Sequence, residues 1–245
     1  MRETHLPKLL ALSSLVVFLF YACTDDSYLA SHPPVPDQSF VEEFDSASAA
    51  LDRGWQFVNA SNPRGGGVWQ NGGDLYPWFN PYSNHGSFAG FIGAGISSTA
   101  PSNEGTISNW LISPPVIMQN GDLIIFYTRA YEIVDGTGDT TDHGNSLQVR
   151  INPTNDDLNV GQGLEVGDFT QGLITINAGL VPTSIFTPNP GAYPSQWTRF
   201  EVTVSGLSGR VKGRFAFRYF VTDAGANGNG TGIGIDSVAY KSVRH

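Results

Sequence analysis

Short runs of apolar residues, alternating or continuous, recur along the chain between clusters of Gly, Asn, Pro and Ser, the pattern of an all-β domain. The runs fall at 39–45, 54–59, 68–71, 87–93, 106–113, 122–131, 146–152, 196–205, 213–222 and 233–241. Period two is clearest where Phe215, Phe217, Tyr219 and Val221 share one face of a strand. Trp197, Phe200, Val202 and Val204 suggest its neighbour. Residues 168–176 are ambiguous, although Gly172 argues against a helix. No long amphipathic helix and no internal repeat is visible. The pattern predicts one domain built as a β-sandwich or a barrel, with Trp55, Trp110 and Trp197 in its core.

The N-terminus follows a different pattern. Arg2 and Lys8 form a basic start, and residues 9–22 form an apolar run shorter than the roughly 20 residues of a spanning helix. Phe20-Tyr21-Ala22-Cys23 resembles a loosened bacterial lipobox, which implies that Cys23 is acylated and becomes the first mature residue. An ordinary secretion signal with an incidental cysteine is the alternative. Cys23 is the chain's one cysteine, so it has no intramolecular disulfide partner. Thr24-Asp25-Asp26-Ser27 resembles the acidic stretch that directs Bacteroidetes-type lipoproteins to the outer face of the outer membrane; a polar linker start is the plainer reading. The expected organisation is a signal peptide at 1–22, an acylated cysteine and Pro-rich tether at 23–38, and a folded domain at 39–245. A surface-exposed, lipid-anchored outer-membrane protein is the expected location.

Composition sharpens the picture. Gly 29 and Pro 15 suit a loop-rich β fold, and 12% aromatics argue against disorder. The formal net charge is −9, and loss of the leader removes Arg2 and Lys8 against one acid, Glu3. Nucleic acid is excluded as a partner, because phosphate neutralisation needs clustered Lys and Arg. The surplus of carboxylates is compatible with calcium and equally with simple solubility.

Several blocks resemble the choice-of-anchor J domain family. They are Thr106-Ile107-Ser108-Asn109-Trp110-Leu111-Ile112-Ser113-Pro114, Val166-Gly167-Asp168-Phe169-Thr170, Tyr193-Pro194-Ser195-Gln196-Trp197-Thr198, the run from Gly213 to Thr222, and Ile233-Gly234-Ile235-Asp236-Ser237-Val238. The resemblance implies a two-sheet antiparallel β-sandwich of jelly-roll type, related to cleaved-adhesin and MAM-like domains and attached by varied anchors. It also implies a structural calcium where the first strand meets the last, held by Glu42, Asp45 and Asp236, with Glu43 competing for the role of Glu42. Otherwise Asp236 caps a turn or pairs with an arginine such as Arg218.

Trp69, Tyr76, Trp78, Phe79 and Tyr82 lie in or beside a Gly/Asn/Pro-rich stretch. They read either as a ligand-binding patch that stacks on sugar or fills a partner's pocket, or as a cover over one end of the core. The acidic segment 135–144 reads as a hairpin tip, with weak calcium binding behind it. Arg129, Arg150, Arg214 and Arg218 lie in strand runs, where pairing with acids or protection of a sheet edge is expected. His85 and His143 sit in unrelated loops, no hydrolase or phosphate-binding motif occurs, and the Gly-rich 228–234 segment precedes a strand. The expected function is therefore non-catalytic binding of a glycan or surface protein. A ligand-free envelope component is the first alternative. The second is a carbohydrate-active hydrolase using a carboxylate pair among Glu104, Asp122, Glu132 and Asp223.

Overall fold

Alternation in the chain becomes two stacked sheets. A computed structural model describes residues 36–245 except 84–86, 102–103, 226–227 and 244–245. The leader, Cys23 and the tether as far as residue 35 lie outside the described residues. Among the described residues no helix is long and apolar enough to cross a membrane. In chain order the strands are β1 (Phe40–Glu42), β2 (Gln56–Asn59), β3 (Gln70–Asn71), β4 (Ile92–Gly95), β5 (Gly105–Ile112), β6 (Val116–Met118), β7 (Leu123–Ala130) and β8 (Ile133–Val134). They continue with β9 (Thr140–Thr141), β10 (Leu147–Ile151), β11 (Gln171–Ile176), β12 (Thr198–Thr203), β13 (Val211–Gly213), β14 (Phe215–Ala224) and β15 (Gly232–Lys241). One short helix, α1 (Ala47–Asp52), begins where the Ser46 side chain accepts from the Ala49 N–H.

The first sheet has the order β12-β7-β15-β4-β3, with β1 also paired to β15. The second has the order β11-β10-β14-β5-β2. Every ladder in the two sheets is antiparallel. Consecutive long strands mostly cross between sheets, so β4-β15-β7-β12 faces β5-β14-β10-β11. That is the jelly-roll order expected from the sequence.

Inward side chains fill the space between the sheets. Phe215, Phe217, Tyr219 and Val221 of β14 are fully buried in the core with Ile124, Phe126, Ile233 and Ile235 from the opposite sheet. Trp55 belongs to this core; its ring meets Phe40, Phe44 and Phe215 edge-on. Trp110 points the other way. It joins Ile112, Ala216, Val160 and Phe169 in a separate cluster on the outer side of the second sheet, so Trp110 is a core residue as expected, but of a second core.

Arg218 holds that outer layer in place. It is buried, with its guanidinium 4.9 Å from the Trp110 ring and 4.0 Å from the Phe220 ring. It donates to the Ser108 hydroxyl and to the carbonyls of Gly163 and Glu165. Burial, reinforced by Arg150, pushes its pKa down to about 9, which leaves it charged at neutral pH. Arg150 donates to the carbonyls of Phe169 and Thr170, and Arg214 to those of Ser113 and Asp156. Acid pairing or protection of a sheet edge was expected of these arginines, and the partners found are carbonyls. Carbonyls take the place of acids because the connecting loops 153–170 lie over the sheet with unpaired C=O groups, and a guanidinium fork can satisfy several at once.

Several predicted strands are shorter than expected, the 39–45 run among them with only Phe40–Glu42. Residues 68–71 contribute only Gln70–Asn71, and 87–93 only the start of β4. The ambiguous 168–176 segment ends as the edge strand β11, and the short strands β6, β8, β9 and β13 carried no clear signal. Replacing Arg218 with Ala would leave buried carbonyls without a donor. The expected cost is about 3–5 kcal/mol in urea unfolding, and Arg218→Lys should recover little of it because one ammonium cannot reproduce the fork. A loss below about 1 kcal/mol would show that the loop does not depend on this side chain.

Candidate functional site

Four glycines pave the outer face of the first sheet. Ile92, Ala94, Ile233 and Ile235 point into the core, so Gly93, Gly95, Gly232 and Gly234 face outward. The ladder sets Gly232 opposite Gly95 and Gly234 opposite Gly93. With no side chains there, the sheet presents bare backbone. A Cβ built on Gly232 would lie 2.7 Å from the Trp78 ring, and one on Gly234 would lie 2.8 Å from the Phe79 ring. Both aromatics therefore sit directly on the strands.

The segment 72–83 crosses this floor as a strap. Trp78 stacks on Tyr131 with ring centroids 4.6 Å apart, and Phe79 stacks on Phe91 at 4.6 Å. Trp197 meets Phe79 edge-on at 5.3 Å and donates its indole N–H to the Asn80 carbonyl. The Arg129 guanidinium lies 4.3 Å from the Phe79 centroid, and Tyr82 stacks on Tyr127 at 3.5 Å. Trp197, expected in the core, belongs instead to this outer layer, because residue 197 precedes β12 on the side covered by the strap.

Asp236 fastens the far end. It sits at a register shift in β15, beside Ser237 at φ 49, where the strand changes partner from β4 to β1. Its carboxylate is fully buried and accepts from the Tyr82, Ser83 and Ser237 N–H groups and the Ser83 hydroxyl. Desolvation outweighs those donors, and the Glu43 carboxylate adds repulsion, so its pKa is pushed up to about 6. Asp236 thus caps a loop; its partner is not Arg218.

These neighbours decide what each expected site residue can do. Glu42 is buried, and both its oxygens accept from Arg53 at 2.5 and 2.7 Å while Oε1 also accepts from the Phe44 N–H. Asp45 is exposed, and Glu43 accepts from the Ser237 hydroxyl. Among the described residues no group of three or more His, Cys, Asp or Glu side chains is arranged to hold a metal ion. Glu42 thus pairs with Arg53 and Asp236 with the strap amides, while Asp45 faces solvent. The 135–144 segment is the β8–β9 hairpin, its tip closed by Asp135 accepting from Thr137 and Asp139. Of the four carboxylates weighed for hydrolysis, Asp122 is buried against the Tyr240 hydroxyl and the N–H groups of Gln119 and Val243. Glu132 lies 4.0 Å from Arg129, and Glu104 and Asp223 are exposed.

The aromatic set divides. Trp69 is in the main core, and Trp78 and Phe79 are half-buried on the glycine floor. Tyr76 is 79% exposed and Tyr82 45%, flanked by Leu75 at 85% and Phe88 at 84%. A second feature went unread in the sequence. Two cavities of about 540 and 360 Å³ open among the loops and meet at Ile96 and Gly225. Their one available signal was glycine: Gly65 and Gly66 line the larger, Gly228 and Gly230 the smaller.

No protein-family model and no characterised protein matches the chain in sequence. Solved structures do match in shape. The K3 cleaved adhesin domain of Lys-gingipain from Porphyromonas gingivalis W83 is 17% identical, with a TM-score of 0.50 over 85% of this chain and 100% of that one. The K1 domain of the same protein is 19% identical, with a TM-score of 0.47 over 84% and 99%. A family 29 carbohydrate-binding module complexed with mannohexaose is 13% identical, with a TM-score of 0.37 over 84% and 92%. The likeness is one of fold: an all-β sandwich of two antiparallel sheets.

Two outcomes follow from the glycine floor and its fastening. Gly232→Val forces the Trp78 ring off the strand, with an expected loss of about 1–3 kcal/mol and a red-shifted tryptophan emission; unchanged stability and emission would mean the strap is not seated there. For Asp236 the folded state holds its proton more tightly than the unfolded chain, whose Asp ionises near pH 4. Its contribution to stability is therefore full below about pH 4 and is lost as pH rises through about 6, a change of up to about 3 kcal/mol. Asp236→Asn should flatten that part of the urea-midpoint profile. Parallel profiles for the two proteins would contradict the assignment.

Proposed function

We propose that this chain is a non-catalytic binding module, tethered through Cys23 to the bacterial outer membrane and facing outward, whose strap presents aromatic side chains to a glycan. The observation that carries the reading is the division of labour within the strap. Trp78 and Phe79 lock the segment onto the sheet, and Asp236 fixes its end. Tyr76 and Tyr82 are left facing solvent on a segment already ordered. A ligand meeting a fixed surface avoids the entropy of ordering it. Tyrosine supplies both an apolar face for a sugar ring and a hydroxyl for its polar edge. The cleaved-adhesin likeness supports a binding role at the level of fold.

Glycan arrays with the folded domain test this directly. Tyr76→Ala and Tyr82→Ala should each weaken binding of the captured glycan by about tenfold or more, since stacked aromatics dominate such contacts. Undiminished binding by both variants would place the ligand elsewhere, and capture of no glycan would contradict the reading. For the anchor, Cys23→Ser should move the protein from the membrane fraction to the soluble one, because acyl chains supply the attachment. Membrane fractionation identical to that of the parent would remove lipidation from the account.

A further inference from the structure

The two loop-end cavities differ in chemistry from the rest of this acidic protein. Among the described residues their combined lining includes Arg64, His143 and Tyr131 but no carboxylate, although the chain carries 22 Asp and Glu against 13 Lys and Arg. The larger cavity, about 540 Å³, falls within the range of small-ligand sites. Its walls are the Gly65-Gly66 backbone, Ile96 and Pro101, and Arg64 stands at its edge. Ile96 and Gly225 also line the smaller one, which is bordered by Tyr131 and Ile133.

Arg64 is the second observation. Every other described arginine has a carboxylate, carboxamide or carbonyl partner: Arg53 on Glu42, Arg129 near Glu132, Arg199 on Glu201, Arg210 on Gln119, and Arg150, Arg214 and Arg218 on carbonyls. Arg64 is exposed at the cleft, and among the described residues no acid pairs with it. Arg53, Arg129 and Arg199 show how acids in this chain are used to neutralise guanidinium groups; at the cleft that neutralisation is missing. A free guanidinium matches a planar carboxylate with two parallel hydrogen bonds. Gly66 has open space where a side chain would stand, so no side chain at that position blocks approach to Arg64.

The geometry points to a second binding site, in which this cleft takes an acidic saccharide. A uronate carboxylate pairs with Arg64, its ring lies over Gly65, Gly66 and Ile96, and the chain continues toward Tyr131. The assignment rests on the reading of the protein as a glycan-binding module, but it uses none of the strap's outward residues.

Calorimetric titration of the folded domain with trigalacturonate, and with neutral mannotriose as its comparison, tests the site. Trigalacturonate should bind and mannotriose should not. Arg64→Ala should weaken trigalacturonate binding by about ten- to hundredfold, the loss of hydrogen bonds to a charged group, and Arg64→Lys by less. Raising the salt should weaken parental binding. Tyr76→Ala and Tyr82→Ala should leave trigalacturonate affinity unchanged, so failure of the strap reading and failure of the cleft reading are separable. Equal affinity of parent and Arg64→Ala, equal binding of the neutral trisaccharide, or no binding of trigalacturonate would each overturn the proposal.

Discussion

Removing four side chains from the middle of a sheet creates a constraint that the rest of the outer face must answer. Gly93, Gly95, Gly232 and Gly234 face one another in register, and bare backbone on a sheet face is a shallow trough that apolar rings can fill. Trp78 and Phe79 fill it, and their contact is closer than any Cβ would permit. Once these rings are seated, the course of the strap is determined. Tyr131, Phe91, Trp197 and Arg129 pack around them, and the chain emerges at Asp236, whose buried carboxylate takes the strap's free amides. The aromatic layer therefore converts a flexible connection into a fixed surface.

The opposite sheet solves a related problem with charge. Loops over its outer face bring carbonyls down onto Trp110 and Phe169, and Arg218, Arg150 and Arg214 satisfy them. The molecule thus has a layer outside each sheet, one held mainly by ring contacts and the other by guanidinium forks. Open concave space is displaced to the loop ends, where the two cavities meet. Tyr76 and Tyr82 of the strap and Arg64 at this cleft remain exposed.

Much of the architecture was legible from period two alone. The alternation at Phe215–Val221 mapped onto the core face of β14, and the runs at 106–113, 122–131 and 233–241 became the long strands β5, β7 and β15. The glycine floor was not legible in the same way. Gly93-Ala94-Gly95 and Gly232-Ile233-Gly234 are far apart in sequence, and their meaning appears only when the ladder places them opposite each other. Trp78 and Phe79 read either as a ligand patch or as a packing cover until the ladder shows the glycine floor they lie against. Asp236 reads in the sequence as a calcium ligand, a turn cap or an arginine's partner, and the donors it meets are amides of a segment remote in sequence. The arginines were matched with acids because charge is visible in a sequence, whereas an orphaned carbonyl depends on where a loop lands. Arg64 drew no attention for the converse reason, since its distinction is the partner it lacks.

The central claim is that the Trp78 ring is seated against glycine backbone, and ring-current shifts in the proton NMR spectrum report this directly. With Gly93, Gly95 and Gly232 in contact with the indole, their Hα protons should be displaced from ordinary strand-glycine shifts and return toward them in Trp78→Leu. Glycine Hα shifts at ordinary strand values in the parent protein, unchanged by that substitution, would contradict the account.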